Sequence, residues 1–66
     1  MKEPIMQYFQ YDHLVGRLQE VSKPFCELAA KLVDNLPRSP ERTVALRKLL
    51  ESKDAAVRAA LYKEPT

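Results

Sequence analysis

Three aromatic residues near the N-terminus are the first groups in this chain that could bind a ligand. Tyr8, Phe9 and Tyr11 fall within four positions, and the whole chain has only five aromatic residues. Pro4 disfavours a helix that begins at the terminus, so we expect residues 1–12 to form an extended or irregular arm. Aromatic rings stack on flat ligands such as nucleobases. A simpler role, in which the rings fasten the arm to the rest of the protein, is equally open.

Lys23 is the candidate for binding an anion. Pro24 follows it, and proline both lacks an N–H group and disfavours helical geometry at the preceding residue. We therefore expect a break at Ser22 and Lys23, with Ser22 as the N-cap of the next helix. Lys23 would then add its charge to the free N–H groups of a helix N-terminus, where anions bind. The alternative is an ordinary solvated lysine on the first helical turn.

Groups that could support catalysis are sparse. Cys26 and His13 could form a nucleophile–base pair, but they are the only cysteine and histidine, and Cys26 falls beside the predicted core. Gly16 is the single glycine, which excludes a glycine-rich phosphate loop. One cysteine and one histidine give no recognisable zinc set. We therefore predict that the protein is not an enzyme and holds neither a metal nor a cofactor.

Two amphipathic helices joined by a tight turn would position these groups. Apolar residues recur at intervals of three or four along each helix, which makes one stripe per helix. The stripes comprise Val21, Phe25, Leu28, Leu32 and Leu36 in the first helix and Leu46, Leu50, Val57 and Leu61 in the second. Ser39 is a good N-cap and Pro40 fits the first helical position. We predict helices over Pro24–Leu36 and Pro40–Tyr62, with a shorter helix near His13–Val21.

The link between the two long helices, residues 37–40, allows only an antiparallel return. The predicted fold is therefore all-α: an antiparallel two-helix hairpin with a short N-terminal helix, in one domain over residues 1–66. We expect residues 63–66 to be a flexible tail. Two helices bury only one seam, and a domain of 66 residues without disulfides or metal has little core. This favours a homo-oligomer.

The charge balance argues against several partners. The chain has 11 basic and 9 acidic residues, whereas a duplex-DNA binder of this size carries a denser basic surface. A small anion with a few phosphates remains compatible. No apolar run approaches the ~20 residues of a membrane span, and the first residues lack the apolar core of a signal peptide. We expect a protein of a reducing cytoplasm, with Cys26 as a free thiol.

Three segments carry a resemblance to a known family. They run from Tyr8 to Leu14, from Leu18 to Phe25 and from Glu41 to Arg58. Over roughly residues 7–62 the chain resembles the hairpin domain of phage immune-evasion sponges. These are the anti-CBASS and anti-Thoeris proteins, which sequester cyclic-nucleotide signals, and the similarity is closest to the anti-CBASS sponge.

The resemblance implies a non-catalytic homo-oligomer, typically a hexamer, that acts in the cytoplasm of the bacterial host. In anti-CBASS members, a tyrosine of the N-terminal arm stacks on a base and a lysine at the start of the long first helix meets a phosphate. Tyr8 and Lys23 match these places best, and Tyr11 is the alternative ring. Family members also bind cyclic trinucleotides through arginine at a separate site on a three-fold axis, for which Arg58 is the candidate.

The function predicted on this basis is sequestration of cyclic dinucleotides such as cGAMP, or of cyclic trinucleotides, with no membrane and no long nucleic acid as partner. A two-fold interface would supply each binding residue twice, which suits a ligand with two bases and two phosphates. Two other classes stay open. One is a helical protein-interaction module that uses the apolar stripe. The other is a small nucleic-acid binder that uses Arg38, Arg42, Arg47 and Lys48.

Overall fold

The protein is a helical hairpin with a short helix packed against it. The computed structural model describes residues 4–63, and these form a 3₁₀ helix at Pro4–Phe9 followed by α1 at Arg17–Asn35 and α2 at Pro40–Leu61. The two α-helices pack against each other in antiparallel order, and residues 4–63 contain no strand. The all-helical hairpin is therefore confirmed. The remainder of the predicted arm and tail, residues 1–3 and 64–66, lies outside the described residues.

The start of α2 follows the sequence prediction. Ser39 is the N-cap in an extended conformation, and its hydroxyl oxygen accepts a hydrogen bond from the backbone N–H of Arg42 at 3.2 Å. Pro40 occupies the first helical position, where its missing N–H costs nothing. Helix α2 ends at Leu61, one residue before the predicted end at Tyr62.

The predicted break at Ser22 and Lys23 is wrong. Helix α1 continues from Arg17 to Asn35 with Pro24 inside it, so the separate short helix near His13–Val21 does not form. A proline inside a helix costs about 3 kcal/mol. Packing outweighs that cost here, because Ala29 after the proline is fully buried against Phe9 and Leu46, and Phe25 packs against the same core.

Helix α1 begins instead at Arg17, with Gly16 at the N-cap position. This glycine adopts φ 50°, a left-handed conformation that residues with a Cβ rarely occupy. The side-chain amide of Gln19 donates to the backbone carbonyls of Asp12 and Leu14 and so ties the preceding turn to the helix. The chain thus changes direction at the glycine, seven residues before Lys23 rather than beside it.

The N-terminal arm is also more regular than expected. Residues 4–9 form the 3₁₀ helix rather than an extended or irregular segment, with Pro4 at its first position. Phe9 has no exposed surface and forms the core with Ala29 of α1 and Leu46 of α2. One buried ring therefore fixes the short helix across both long helices.

The fully buried residues of α1 and α2 are mostly small or polar, and larger apolar side chains such as Phe25 and Leu49 pack around them. Ser22 and Ala29 of α1 and Arg42 and Leu46 of α2 are the buried residues of the two helices. The guanidinium of Arg42 donates to the carbonyls of Val33 (3.2 Å) and Leu36 (3.0 Å). Val33 lies in the last turn of α1 and Leu36 is its C-cap, so neither carbonyl has an intrahelical partner. Arg42 therefore caps α1 from the neighbouring helix.

The apolar stripe predicted for α1 is only partly buried. Phe25 and Leu32 pack against the core. Leu28 remains 46% exposed and Leu36 41% exposed, although both belong to the stripe. Within residues 4–63, neither long helix has an apolar stretch sufficient to cross a membrane.

Candidate functional site

An open groove lies where the 3₁₀ helix meets α2. Its volume is about 360 Å³, which is at the lower end of the ~300–1,000 Å³ of ligand pockets. Four residues of the N-terminal segment form one wall and four residues of α2 form the other. The lining comprises Pro4, Ile5, Gln7, Tyr8, Thr43, Leu46, Arg47 and Leu50. We call this the front groove, and the side of the hairpin that carries the 3₁₀ helix the front face.

The direction of the Tyr8 ring is set by the neighbouring residue, Phe9. Successive residues of a 3₁₀ helix point about 120° apart. Burial of Phe9 in the core therefore directs Tyr8 outward, where it is 58% exposed. The two roles considered for the aromatic residues therefore belong to different side chains. Phe9 anchors the segment to the core, and Tyr8 presents a ring to solvent at the wall of a groove.

Arg47 supplies a positive charge beside this ring. It follows Thr43 by four residues on α2, so both lie on the same side of the helix and both line the groove. Glu51, one turn further along α2, has its carboxylate 3.9 Å from the Nζ of Lys48. Arg47 has no hydrogen-bond or ion-pair partner in the structure between residues 4 and 63. Its five N–H donors remain available for a ligand.

The other residues named from the sequence do not line the front groove. Tyr11 lies in the turn after the 3₁₀ helix and is half-buried. Lys23 is exposed in the interior of α1, six residues after Arg17, so it has no free helix N-terminus beside it. Arg58 is exposed in the last turn of α2, where its charge complements the helix dipole. Of the four predicted residues, only Tyr8 lies in the groove.

The sequence indicated a role for Arg47 only as one member of a basic group that could bind nucleic acid. Thr43, Arg47 and Leu50 have the i, i+4, i+7 spacing of one helix side, so the sequence does contain their grouping. Nothing in that spacing indicates that Tyr8 lines the same groove. Its position there depends on the burial of Phe9 in the core, which brings together segments about 40 residues apart along the chain.

Cys26 is not placed for nucleophilic chemistry. Burial raises the pKa of its thiol above the ordinary value of 9.0, and the negative charges of Asp12 and Glu27 raise this pKa further. The thiol is therefore protonated at neutral pH, whereas the thiolate is the reactive form. No cluster of three metal-ligating side chains occurs among residues 4–63.

The front groove can therefore bind a ligand that has both a flat ring and an anionic group. Apolar walls from Ile5, Leu46 and Leu50 surround a ring from Tyr8 and a guanidinium from Arg47. The hydroxyl of Thr43 already donates to the carbonyl of Ser39 at 3.3 Å, so it can only accept a hydrogen bond from a ligand. Comparison with protein-family models, with curated proteins and with solved structures finds no match for this chain.

Proposed function

We propose that this protein is a non-catalytic sponge that binds cyclic dinucleotides and withholds them from a CBASS-type antiphage effector in the bacterial cytoplasm. The observation that carries the proposal is the exposed ring of Tyr8 beside the unpaired guanidinium of Arg47 in the front groove. The resemblance to phage sponges over residues 7–62 supplies the biological setting.

The chemistry of the two side chains suits a nucleotide. A tyrosine ring stacked on a base contributes about 1–3 kcal/mol, and a guanidinium can donate two parallel hydrogen bonds to one phosphate. Because Phe9 is buried, the 3₁₀ helix holds Tyr8 in place before the ligand arrives. Binding then costs less ordering of the arm, which increases affinity.

The size of the groove supports a shared site. A space of about 360 Å³ holds only part of a ligand with two nucleotides. Two copies related by a two-fold axis would supply two tyrosines and two arginines to the two bases and two phosphates. The proposed sponge is therefore a homo-oligomer, and the hexamer of the resembled family is the proposed assembly.

Tyr11, Lys23 and Arg58 keep their proposed roles as secondary contacts. Lys23 acts here as a solvated cation, because the helix N-terminus expected beside it is absent. Arg58 remains the candidate for a cyclic trinucleotide site. Arg47 replaces Lys23 as the first cation to test in the dinucleotide site.

Isothermal titration calorimetry against a panel of cyclic di- and trinucleotides tests the proposal. Tyr8→Ala and Arg47→Ala should each weaken cyclic-dinucleotide binding by about 1–3 kcal/mol per contact. Tyr8→Phe should keep most of the affinity, because phenylalanine retains the stacking face. Lys48→Ala is the matched control, since Lys48 is the adjacent exposed cation on α2 but does not line the groove.

The same titrations separate the competing assignments. A loss of affinity in Lys23→Ala with none in Arg47→Ala would return the phosphate contact to Lys23. Absence of binding to every cyclic nucleotide in the panel would overturn the sponge proposal. Strongly salt-dependent binding to long DNA would instead indicate the nucleic-acid-binding alternative.

A further inference from the structure

We infer that Gln7 selects the base that the front groove binds, and that this base is adenine rather than guanine or uracil. The inference rests on the proposed function, because it names the base that stacks on Tyr8. Gln7 lines the groove from the 3₁₀ helix, and Thr43 lines it from α2. The ring of Tyr8 and the charge of Arg47 do not discriminate, since every base has a ring face and every nucleotide a phosphate. Discrimination therefore depends on the remaining polar groups.

The side chain of Gln7 is available to a ligand. It is exposed, and its amide has no hydrogen-bond partner between residues 4 and 63. The buried ring of Phe9 fixes the 3₁₀ helix, so the segment that carries Gln7 is positioned before a ligand arrives. A side-chain amide has an acceptor oxygen next to a donor nitrogen. It can therefore form two parallel hydrogen bonds with the edge of a base.

Thr43 decides which edge fits. Rotation of the amide exchanges its donor and acceptor, so Gln7 alone pairs with an edge of any base. The hydroxyl of Thr43 donates to the carbonyl of Ser39 at 3.3 Å, so it only accepts from a ligand. Arg47 only donates, and its proposed partner is the phosphate. The groove thus offers a base two acceptors, the Oε1 of Gln7 and the Oγ1 of Thr43, and one donor, the Nε2 of Gln7.

Adenine complements these three groups. Its exocyclic amino group has two N–H donors, one for each acceptor, and the ring nitrogen beside that group accepts from the Nε2 of Gln7. Guanine has a carbonyl at the same position, which would face the acceptor of Thr43, and its own amino group lies beside an N–H that cannot accept. Uracil has no amino group. Cytosine has a matching edge, but its smaller ring stacks less on Tyr8. A polar group left unpaired in the groove lowers affinity.

Calorimetry with cyclic di-AMP, cyclic GMP–AMP and cyclic di-GMP tests the inference. The parent should bind them in that order of decreasing affinity, with a step of about tenfold to a hundredfold for each base exchanged. Gln7→Glu replaces the amide with a carboxylate of similar size that only accepts. It should lose the contact with the ring nitrogen of adenine and accept from two adjacent N–H groups of guanine. Its preference should therefore shift toward cyclic di-GMP.

Gln10→Glu is the matched control. Gln10 is also exposed and lies three residues after Gln7, but it does not line the front groove. The added negative charge weakens binding of all three anionic ligands alike, so the ratio of their affinities should equal that of the parent. Thr43→Val removes the second acceptor at nearly constant size and should reduce the preference for adenine without reversing it. Circular dichroism checks that α2 persists in this variant, since the lost hydroxyl also contacts Ser39.

Titration with AMP and GMP, followed by NMR chemical shifts, separates this inference from the sponge. A groove of about 360 Å³ accommodates part of a cyclic dinucleotide, so a mononucleotide tests one groove by itself. Preference for AMP without binding of any cyclic dinucleotide would support the role of Gln7 and overturn the sponge. Equal binding of adenine and guanine ligands by the parent would overturn the role of Gln7 and leave the sponge intact. The same shift of preference in Gln7→Glu and Gln10→Glu would also overturn that role, as would absence of binding to every nucleotide tested.

Discussion

The hydroxyl of Ser22 is fully buried and has no hydrogen-bond partner among residues 4–63. As an N-cap, which was its predicted role, this serine would stabilise the protein, and its replacement by alanine would cost about 0.5–2 kcal/mol. In the continuous helix, the same replacement is expected to stabilise the protein instead. A buried unsatisfied hydroxyl costs about 1–3 kcal/mol, and alanine is also the better helix former. We therefore expect Ser22→Ala to raise the free energy of unfolding by about 1 kcal/mol or more.

Chemical denaturation of the parent and Ser22→Ala decides between the two signs, with the exposed and solvated Ser52→Ala as the control for helix propensity. A Ser22→Ala protein less stable than the parent would contradict the continuous helix α1. Equal gains at both serines would attribute the effect to propensity alone.

Cys26 makes stability depend on pH in the alkaline range. Its native pKa is raised above the ordinary value of 9.0 by burial and by the charges of Asp12 and Glu27. The native state therefore holds the thiol proton more tightly than the unfolded chain. The resulting stabilisation is complete below the unfolded pKa and is lost as the pH rises through the native pKa. We expect the stability difference between the parent and Cys26→Ser to be constant near neutral pH and to shift against the parent above about pH 9.

Denaturant midpoints of both proteins across this range give the measurement, and the Cys26→Ser protein removes the background from tyrosine and lysine titration. The rate of iodoacetamide alkylation provides a second measurement. Its midpoint in the native protein should lie at higher pH than in denaturant. A native midpoint at or below the denatured one would show that the thiol is not shielded.

At the scale of the helices, Pro24 tests how α1 is built. If a new helix began at this residue, as the sequence suggested, proline would be well placed and Pro24→Ala would be neutral or unfavourable. In the observed helix, Pro24 lies in the interior and leaves a carbonyl of the preceding turn without its helical donor. We expect Pro24→Ala to stabilise the protein by up to about 3 kcal/mol. Thermal unfolding followed by circular dichroism checks this, and a lower melting temperature would be the contrary outcome.

The fold was predictable wherever local signals agreed. The N-cap at Ser39, the proline at position 40 and the short link all pointed to the same hairpin, and the structure has it. The local signals at Ser22 and Pro24 predicted a helix break that does not form, because packing of α1 against the rest of the protein outweighs them. Helix propensities do not include such tertiary packing. For the same reason the rotation of α1 about its axis, with Ala29 rather than Leu28 at the seam, could not be read from the apolar spacing.

The candidate site was predictable only in part. The exposed ring was expected at Tyr8 or Tyr11, and the structure brings Tyr8 alone of these two into the groove. Lys23 was the expected cation because a helix was predicted to begin beside it, and no helix begins there. Arg47 enters the groove through the packing of a segment distant in sequence, which no spacing rule reveals.

At the scale of the whole molecule, the fully buried apolar core is small. Among residues 4–63 it comprises Phe9, Ala29 and Leu46. Larger apolar side chains such as Leu28 and Val44 remain about half exposed. The proposed homo-oligomer would enlarge this core, so we expect the free energy of unfolding to rise with protein concentration.

The size of the front groove predicts the stoichiometry of the proposed sponge. Each front groove is too small for a whole cyclic dinucleotide, so two grooves from different chains would enclose one ligand. We expect calorimetry to give one cyclic dinucleotide per two chains. Light scattering should show that every liganded species contains at least two chains. Tyr8→Ala should abolish ligand binding without changing the mass of the ligand-free species. One ligand per chain, bound to a species whose mass does not change, would show that each groove acts alone and would remove the shared site.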